Sequence, residues 1–260
     1  MLHSSLGSLL KGSHGMAGFE SALVRKLTRY LPLARDELTL LGRLEAQRRL
    51  IPAGTELVHE EQIGHHAFIL EDGWACSYKL LPDGGRQVID FPIPGDVIGL
   101  RSVLLRASDH SFAAVTDVTV AEVSARQLIG AFEQQPRLGV AFLWAASRDE
   151  AMVVEHLVNV GRRSALVRTA HFMVELGLRL QLVGLGSETG FECPLNQYLL
   201  ADAVGLTAIH VNRILRQMRE RKLLTFRNGR VVFHDLAGLR RLAEHRGGYL
   251  DQANGSTPRA

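Results

Sequence analysis

The stretch that most constrains this chain is residues 197–217, Gln-Tyr-Leu-Leu-Ala-Asp-Ala-Val-Gly-Leu-Thr-Ala-Ile-His-Val-Asn-Arg-Ile-Leu-Arg-Gln. It reads as two short helices joined by a sharp turn. Leu200 and Val204 face inward from the first helix, and Ala201 is small where a second helix must cross closely. Gly205 supplies the backbone freedom of the turn, and Thr207 is placed to cap the second helix. Val211, Ile214, Leu215 and Met218 form the inward face of that helix, leaving Ala208, Ile209, Asn212, Arg213 and Arg216 outward. A corner built this way can offer its second helix to a major groove.

Charge supports that use. The net charge of the 260 residues is only +3, but residues 205–246 hold ten Lys and Arg against Glu220, Asp235 and Glu244. A local excess of this kind attracts phosphate and makes binding salt-sensitive. Downstream, Leu224-Thr-Phe-Arg227 and Arg230-Val-Val-Phe233 enclose Asn228-Gly229, the pair best suited to a two-residue hairpin. This predicts a wing, with Arg227 and Arg230 beside its tip and available to a sugar-phosphate backbone.

The rest of the chain is long enough for a second domain. Between residues 48 and 123 short apolar runs alternate with turns such as Asp72-Gly73 and Pro94-Gly95-Asp96, the pattern of an antiparallel β-roll or jelly roll. Helices are expected at 20–30 and 125–134. From Arg137 the spacing becomes helical, with Leu138, Phe142, Ala145 and Met152 near one face and Val153, Leu157 and Val160 near another. Two apolar faces fit a helix that leans on the β domain and meets its copy in a second subunit, with Arg148 and Asp149 interrupting the seam; a packing helix within one chain has the same pattern. A further helix is expected at 165–182, and the glycine-rich 184–190 lacks a nucleotide-gripping Gly-Lys-Ser/Thr and reads as a surface connection. Cys76 and Cys193 are too few for a disulfide framework, and no apolar run could span a bilayer, so a soluble protein of the reducing cytoplasm, without membrane association, is expected. Residues 1–18 lack the features of a signal peptide.

The run Leu200-Ala-Asp-Ala-Val-Gly-Leu-Thr-Ala-Ile-His-Val-Asn-Arg-Ile-Leu215 resembles the DNA-binding corner of the Crp/Fnr family of bacterial regulators. The likeness extends to Leu157-Val-Asn-Val-Gly-Arg-Arg-Ser164 and to Phe91-Pro-Ile-Pro-Gly-Asp-Val-Ile-Gly99, and so covers most of the chain. It implies an α+β fold: an N-terminal antiparallel β-roll of the double-stranded jelly-roll type that senses an effector, a long dimerisation helix and a C-terminal winged helix-turn-helix. The corresponding boundaries are a flexible extension at 1–18, a cyclic-nucleotide-binding-like sensor at 19–136, the dimerisation helix at 137–163, the winged helix-turn-helix at 164–246 and a flexible tail at 247–260. The implied partners are an inverted-repeat operator in double-stranded DNA, a second copy of the chain, RNA polymerase and an unidentified small effector. Thr207, Ala208, Ile209, His210, Asn212, Arg213, Arg216 and Arg227 are the DNA-binding candidates, Arg213 matching the family's arginine and suiting a guanine.

The pattern also departs from the family. Members that bind cyclic AMP carry a glutamate after the Gly-Asp turn and an Arg-Ser or Arg-Thr pair further on; here Leu100 and His110-Ser111 stand there. Leucine accepts no ribose hydrogen bond and neutral histidine lacks arginine's permanent fork, which argues against cyclic AMP. Leu100, Arg101, Ser102, His110 and Ser111 remain the effector-pocket candidates, Arg101 being one residue from the glutamate position. No cysteine precedes Cys76, which excludes the family's iron–sulfur mode, and no cofactor is expected, although His59, His65, His66 and His110 offer nitrogens that a haem would need. Ile209 replaces a glutamate that reads a base edge in several members and offers only an apolar contact, such as to a thymine methyl, so the operator should differ there.

Two other functions compete. A cupin-like metal enzyme would use the histidines and glutamates of 59–66, but His65 and His66 are adjacent and point to opposite faces of a strand. A small-molecule sensor could carry the corner without reading DNA. No Ser-His-Asp or nucleotide-loop signature favours an enzyme.

Overall fold

The computed structural model describes residues 21–250. It opens with α1 (Ala22–Thr28) and α2 (Arg35–Leu44). The second helix was not legible in the apolar pattern; Leu40, Leu41 and Leu44 are buried on one face, and the Glu37 carboxylate accepts from the Ala34 amide at 2.6 Å to cap its first turn.

Eight strands follow: β1 (Arg48–Ile51), β2 (Glu56–Val58), β3 (Ala67–Asp72), β4 (Ala75–Leu80), β5 (Arg86–Asp90), β6 (Val97–Ile98), β7 (Ser111–Ala114) and β8 (Val118–Val123). They form two antiparallel sheets, in the orders β1-β8-β3-β6 and β2-β7-β4-β5. Phe68, Leu70 and Val120 of one sheet pack on Val58, Phe112 and Ala114 of the other, so the sandwich closes around side chains at alternate positions. This is the antiparallel β-roll that the turn spacing predicts.

After α3 (Ala125–Gln134), capped by Ser124, runs the 27-residue α4 (Pro136–Arg162). Leu138, Ala141, Phe142 and Ala145 bury against Leu23, Leu27 and Leu41 of the first two helices and against the sheet carrying Ile69 and Ala121. The opposite face differs from the expected one. Val140 and Leu143, and then Val154 and Leu157, lie outward as two pairs each three residues apart, with Leu143 67% and Leu157 68% exposed. Val153, assigned to that stripe from its spacing, lines a cavity instead. Arg148 is buried and Asp149 faces Lys26, so the polar break in the stripe falls at Ser147 and Glu150.

The C-terminal part comprises α5 (Ala165–Leu182), β9 (Gly186–Ser187), β10 (Gly190–Glu192), α6 (Gln197–Val204), α7 (Ala208–Glu220), β11 (Leu224–Arg227), β12 (Arg230–Phe233) and α8 (Leu236–Leu242). The expected surface connection at 184–190 is the start of a sheet ordered β11-β12-β10-β9. Its glycines disguise it: a Cβ on Gly190, at φ +140°, would lie 2.0 Å from the Val231 carbonyl oxygen, so only glycine fits under β12. The tail expected to be free from Gly247 is packed as far as it is described, with Leu250 buried and the Tyr249 hydroxyl against Glu175 and His171. The extension at 1–18 and residues 251–260 lie outside the described residues.

A buried ion network joins the two halves. Arg179 of α5, 4% exposed, donates from Nη1 to Asp90 Oδ1 at 2.6 Å and from Nη2 to Asp90 Oδ2, the Phe91 carbonyl and Asp96 Oδ2 at 3.2, 3.0 and 2.8 Å. Lys26 Nζ adds a 2.7 Å bond to Asp96 Oδ1 and lies 3.6 Å from Asp149. Burial by itself would raise the Asp96 pKa, but the Lys26 ammonium and the Arg179 guanidinium outweigh it and hold the carboxyl well below the usual range. At the other end of the contact, Arg86 Nε donates to Asp202 Oδ2 at 2.7 Å, and Gln87 Nε2 donates to the carbonyls of Asp202 and Ala203, so β5 holds the end of α6.

Candidate nucleic-acid interface

The corner forms through local chemistry. Asn196 Oδ1 accepts from the amides of Tyr198 and Leu199 at 3.0 and 2.9 Å and starts α6. Gly205 ends it at φ +60°, a left-handed cap. Thr207 Oγ1 accepts from the His210 amide at 3.2 Å and starts α7. Leu200, Ala201, Ala203 and Val204 bury against Val211, Ile214, Leu215 and Met218. Arg168 of α5 adds a tie that spacing could not reveal: its guanidinium donates to the Val204 carbonyl and to the Arg163 carbonyl, both at 3.0 Å, linking the ends of α6 and α4.

The outward face of α7 carries Ile209, 83% exposed, with Asn212, Arg213 and Arg216 also exposed. Thr207 is exposed beside them, while Ala208 and His210 are half-buried at the edge. Arg216 Nε lies 3.1 Å from Glu220 Oε1. Arg213 has no acidic partner among the described residues, so its guanidinium stands available to an incoming acceptor. Asn212 Nδ2 donates to Gln197 Oε1 at 2.6 Å, across the corner.

The wing forms as expected. Asn228 and Gly229 both have positive φ, +50° and +71°, as a type I′ turn requires, and Arg227 pairs in register with Arg230. The Cys193 amide donates to the Gly229 carbonyl at 2.7 Å, pinning the wing tip to the segment before α6. Arg230 is drawn toward Glu192 at 3.5 Å, which leaves Arg227 as the uncommitted tip arginine.

A cavity of about 80 Å³ lies between the β-roll, α4 and α5. Leu100, Arg101, Ser102 and His110 line it; Ser111 does not, and its Oγ instead accepts from the Glu60 amide at 2.9 Å. The wall that local sequence could not supply consists of Asp149 and His156 from α4 and Phe172 and Glu175 from α5. Ser102 Oγ is held by His65 Nε2 at 2.9 Å, and His110 Nδ1 by Asp109 Oδ1 at 2.7 Å. Burial depresses the His110 pKa against the pull of Asp109, and keeps the ring neutral. Burial pushes the Glu175 carboxyl up to about 7.

The other candidate ligands diverge. His59 lies 2.8 Å from Glu56, His65 turns to Ser102, and His66 contacts Glu122. Among the described residues no three His, Cys, Asp or Glu side chains are grouped to hold a metal ion. Cys193 is buried, and burial pushes its thiol up to about 12, an unreactive state. No described helix is long and apolar enough to cross a membrane.

The same two-part organisation appears in comparisons with known proteins. Residues 48–135 match the cyclic nucleotide-binding domain, and residues 167–242 match the Crp-like helix-turn-helix domain. The nitrogen fixation regulation protein FixK of Bradyrhizobium diazoefficiens is 30% identical over 194 residues, which span 74% of this chain and 79% of that protein. The chain belongs to the Crp/Fnr family of transcription regulators. Among other members, FixK of Rhizobium meliloti is 29% identical over 69% of this chain and 78% of its own length. The solved structure of FixK2 from Bradyrhizobium japonicum superposes with a TM-score of 0.68 at 25% identity, covering 75% of this chain and 96% of that one. The β-roll followed by a winged helix-turn-helix is therefore the fold of this Crp/Fnr regulator.

Proposed function

We propose that this Crp/Fnr regulator acts in the cytoplasm as a homodimer that places two α7 helices in successive major grooves of an inverted-repeat operator, and that its effector is not cyclic AMP. The observation that carries the reading is the exposed row Ile209, Asn212 and Arg213 on a helix whose other face is fully committed to the corner. Arg213 suits the O6 and N7 acceptors of guanine, and Ile209 suits a thymine methyl. Arg227 at the wing tip suits a phosphate. The protein is a regulator rather than an enzyme, and RNA polymerase is the partner expected at promoters it activates.

Selection of operators from a random DNA pool tests this. Arg213→Ala is expected to weaken binding to the selected operator by about 1–3 kcal/mol and to relax one base-pair preference per half-site. Arg227→Ala should weaken all sequences alike and reduce the salt dependence by about one phosphate contact. Equal losses on selected and random DNA for Arg213→Ala would overturn the assignment.

The dimer reading rests on the outward stripe of α4. Val140, Leu143, Val154 and Leu157 present an apolar seam that water would otherwise cover, and a second copy of α4 has the complementary surface by symmetry. Introducing Leu143→Glu together with Leu157→Glu should yield monomers in sedimentation equilibrium. Operator affinity should then fall by roughly 10²-fold or more as the second half-site contact ceases to be intramolecular. A variant that stays dimeric would refute the seam.

Two features of the cavity favour an effector other than cyclic AMP. At the two positions where cyclic-AMP-binding members carry a glutamate and an arginine, Leu100 and neutral His110 supply neither a ribose acceptor nor a fixed cation. Calorimetric titration with cyclic AMP should show no binding, and saturable binding with a gain in operator affinity would contradict this.

A further inference from the structure

The bond between Asn212 and Gln197 spans the open side of the corner. Asn212 sits in the exposed row of α7 next to Arg213, and its Nδ2 donates to Gln197 Oε1 at 2.6 Å. Gln197 is the first residue of α6, and its position is set by the Asn196 cap on the two amides that follow it. An exposed asparagine ordinarily samples several rotamers and both orientations of its amide. Here the side chain is tethered: Nδ2 donates to Gln197 Oε1, and if both amides turn over Gln197 Nε2 donates to Asn212 Oδ1 instead, so in either arrangement Asn212 stays joined to the start of α6.

The consequence concerns what Asn212 has left to offer. A primary amide has two N–H donors and a carbonyl acceptor, and Gln197 uses one donor. At least one N–H and an Oδ1 lone pair remain, on an amide tethered to the first residue of α6. That pair matches the N7 acceptor and N6 donor that adenine presents in the major groove. Holding the amide in place before contact also removes the rotamer ordering that a free side chain would undergo on binding.

We propose that Gln197 is a positioning residue that fixes the Asn212 amide to read one adenine in each half-site. The inference rests on the reading that α7 enters the major groove. It assigns a role in sequence discrimination to a residue of the first corner helix, whose expected contribution is otherwise to cross the backbone.

Operator selection with the full-length protein and its variants tests it. The wild type should select an A·T pair at one position per half-site, and Asn212→Ala should abolish that preference. Gln197→Ala should reduce the preference at the same pair by about three- to tenfold while leaving the guanine preference set by Arg213 intact. The double variant Gln197→Ala/Asn212→Ala should discriminate no worse than Asn212→Ala alone, the non-additivity expected when one residue acts through the other. Gln197→Glu keeps an acceptor for Nδ2 and should restore the adenine preference even though its charge weakens binding to every sequence. The proposal is overturned if Gln197→Ala weakens all sequences equally, or leaves the adenine preference unchanged while Asn212→Ala removes it. It is also overturned if Gln197→Glu fails to restore what alanine lost. A wild type that selects no sequence would overturn the major-groove reading as well, whereas an intact Arg213 preference with an inert Gln197 would overturn this inference alone.

Discussion

Replacing Arg179 with alanine is expected to lower the unfolding free energy by about 3–5 kcal/mol, the cost typical of removing one partner from a buried ion pair. The size follows from what would be left behind. Arg179 gives Asp90 two bonds and supplies one of the two cations that hold Asp96 ionised. Without it Asp90 sits beside the domain junction with no arginine to face, Asp96 depends on Lys26, and the Phe91 carbonyl loses its donor. Arg179→Lys should recover only part of the loss, because one ammonium cannot reach both oxygens of Asp90, Asp96 and a carbonyl at once. Urea unfolding of the three proteins at pH 7 measures this, and a loss below about 1 kcal/mol for the alanine variant would show that the network is not what joins the halves.

The second large effect is a pH dependence centred on Glu175. Its carboxyl titrates near 7 in the folded protein because burial, opposed by the Tyr249 hydrogen bond and by Arg179, disfavours the charge; its side chain is 13% exposed. Since the folded pKa lies above the ordinary 4.5, the folded state binds the extra proton in this window. The contribution is thus fully present below about pH 4.5 and is lost as pH rises through about 7, by an amount on the order of 3 kcal/mol. The hydrogen bonds have the same sign. Protonated Glu175 can donate to the Tyr249 oxygen, leaving the Tyr249 proton for His171 Nε2 at 3.0 Å while His171 Nδ1 donates to the Ala243 carbonyl at 3.1 Å. After deprotonation the tyrosine proton turns to Glu175 and the histidine loses its donor. His110, His156 and His171, whose burial lowers their pKa values, slope the other way, losing stability as pH falls below about 6.5. The readout is therefore the difference between wild type and Glu175→Gln, measured by denaturant unfolding from pH 5 to 8. That difference should move against the wild type as pH rises, and a flat difference would exclude the elevated carboxyl.

How much of this was legible depended on the range of the interactions. The corner was readable because its determinants are neighbours in sequence: a left-handed glycine at 205, a threonine cap at 207 and an apolar spacing of three and four residues. The wing turn at Asn228-Gly229 was readable for the same reason. In contrast, β9 and β10 hid in a glycine-rich stretch, and the requirement for glycine at 190 comes from Val231, some forty residues later. The second face of α4 was read as Val153, Leu157 and Val160; Leu157 does lie outward, together with Val140, Leu143 and Val154, but Val153 lines the cavity and Val160 is half-buried, because a helix packed on two sides satisfies more than one apolar periodicity. Tyr249 was assigned to a loose tail since nothing nearby signals that its partners are His171 and Glu175.

The sequence by itself therefore determined the local elements and the chemistry displayed on α7, including the isoleucine, asparagine and arginine that face outward, since capping, turn formation and helical periodicity act over a few residues. Only the tertiary structure decided which side of α4 is free, that Ser111 leaves the cavity while Asp149, His156 and Glu175 enter it, and that Gln197 holds Asn212. Those outcomes depend on which distant side chains share one buried volume or one exposed edge, and burial, charge and hydrogen-bond partners acquire values only once the chain has packed.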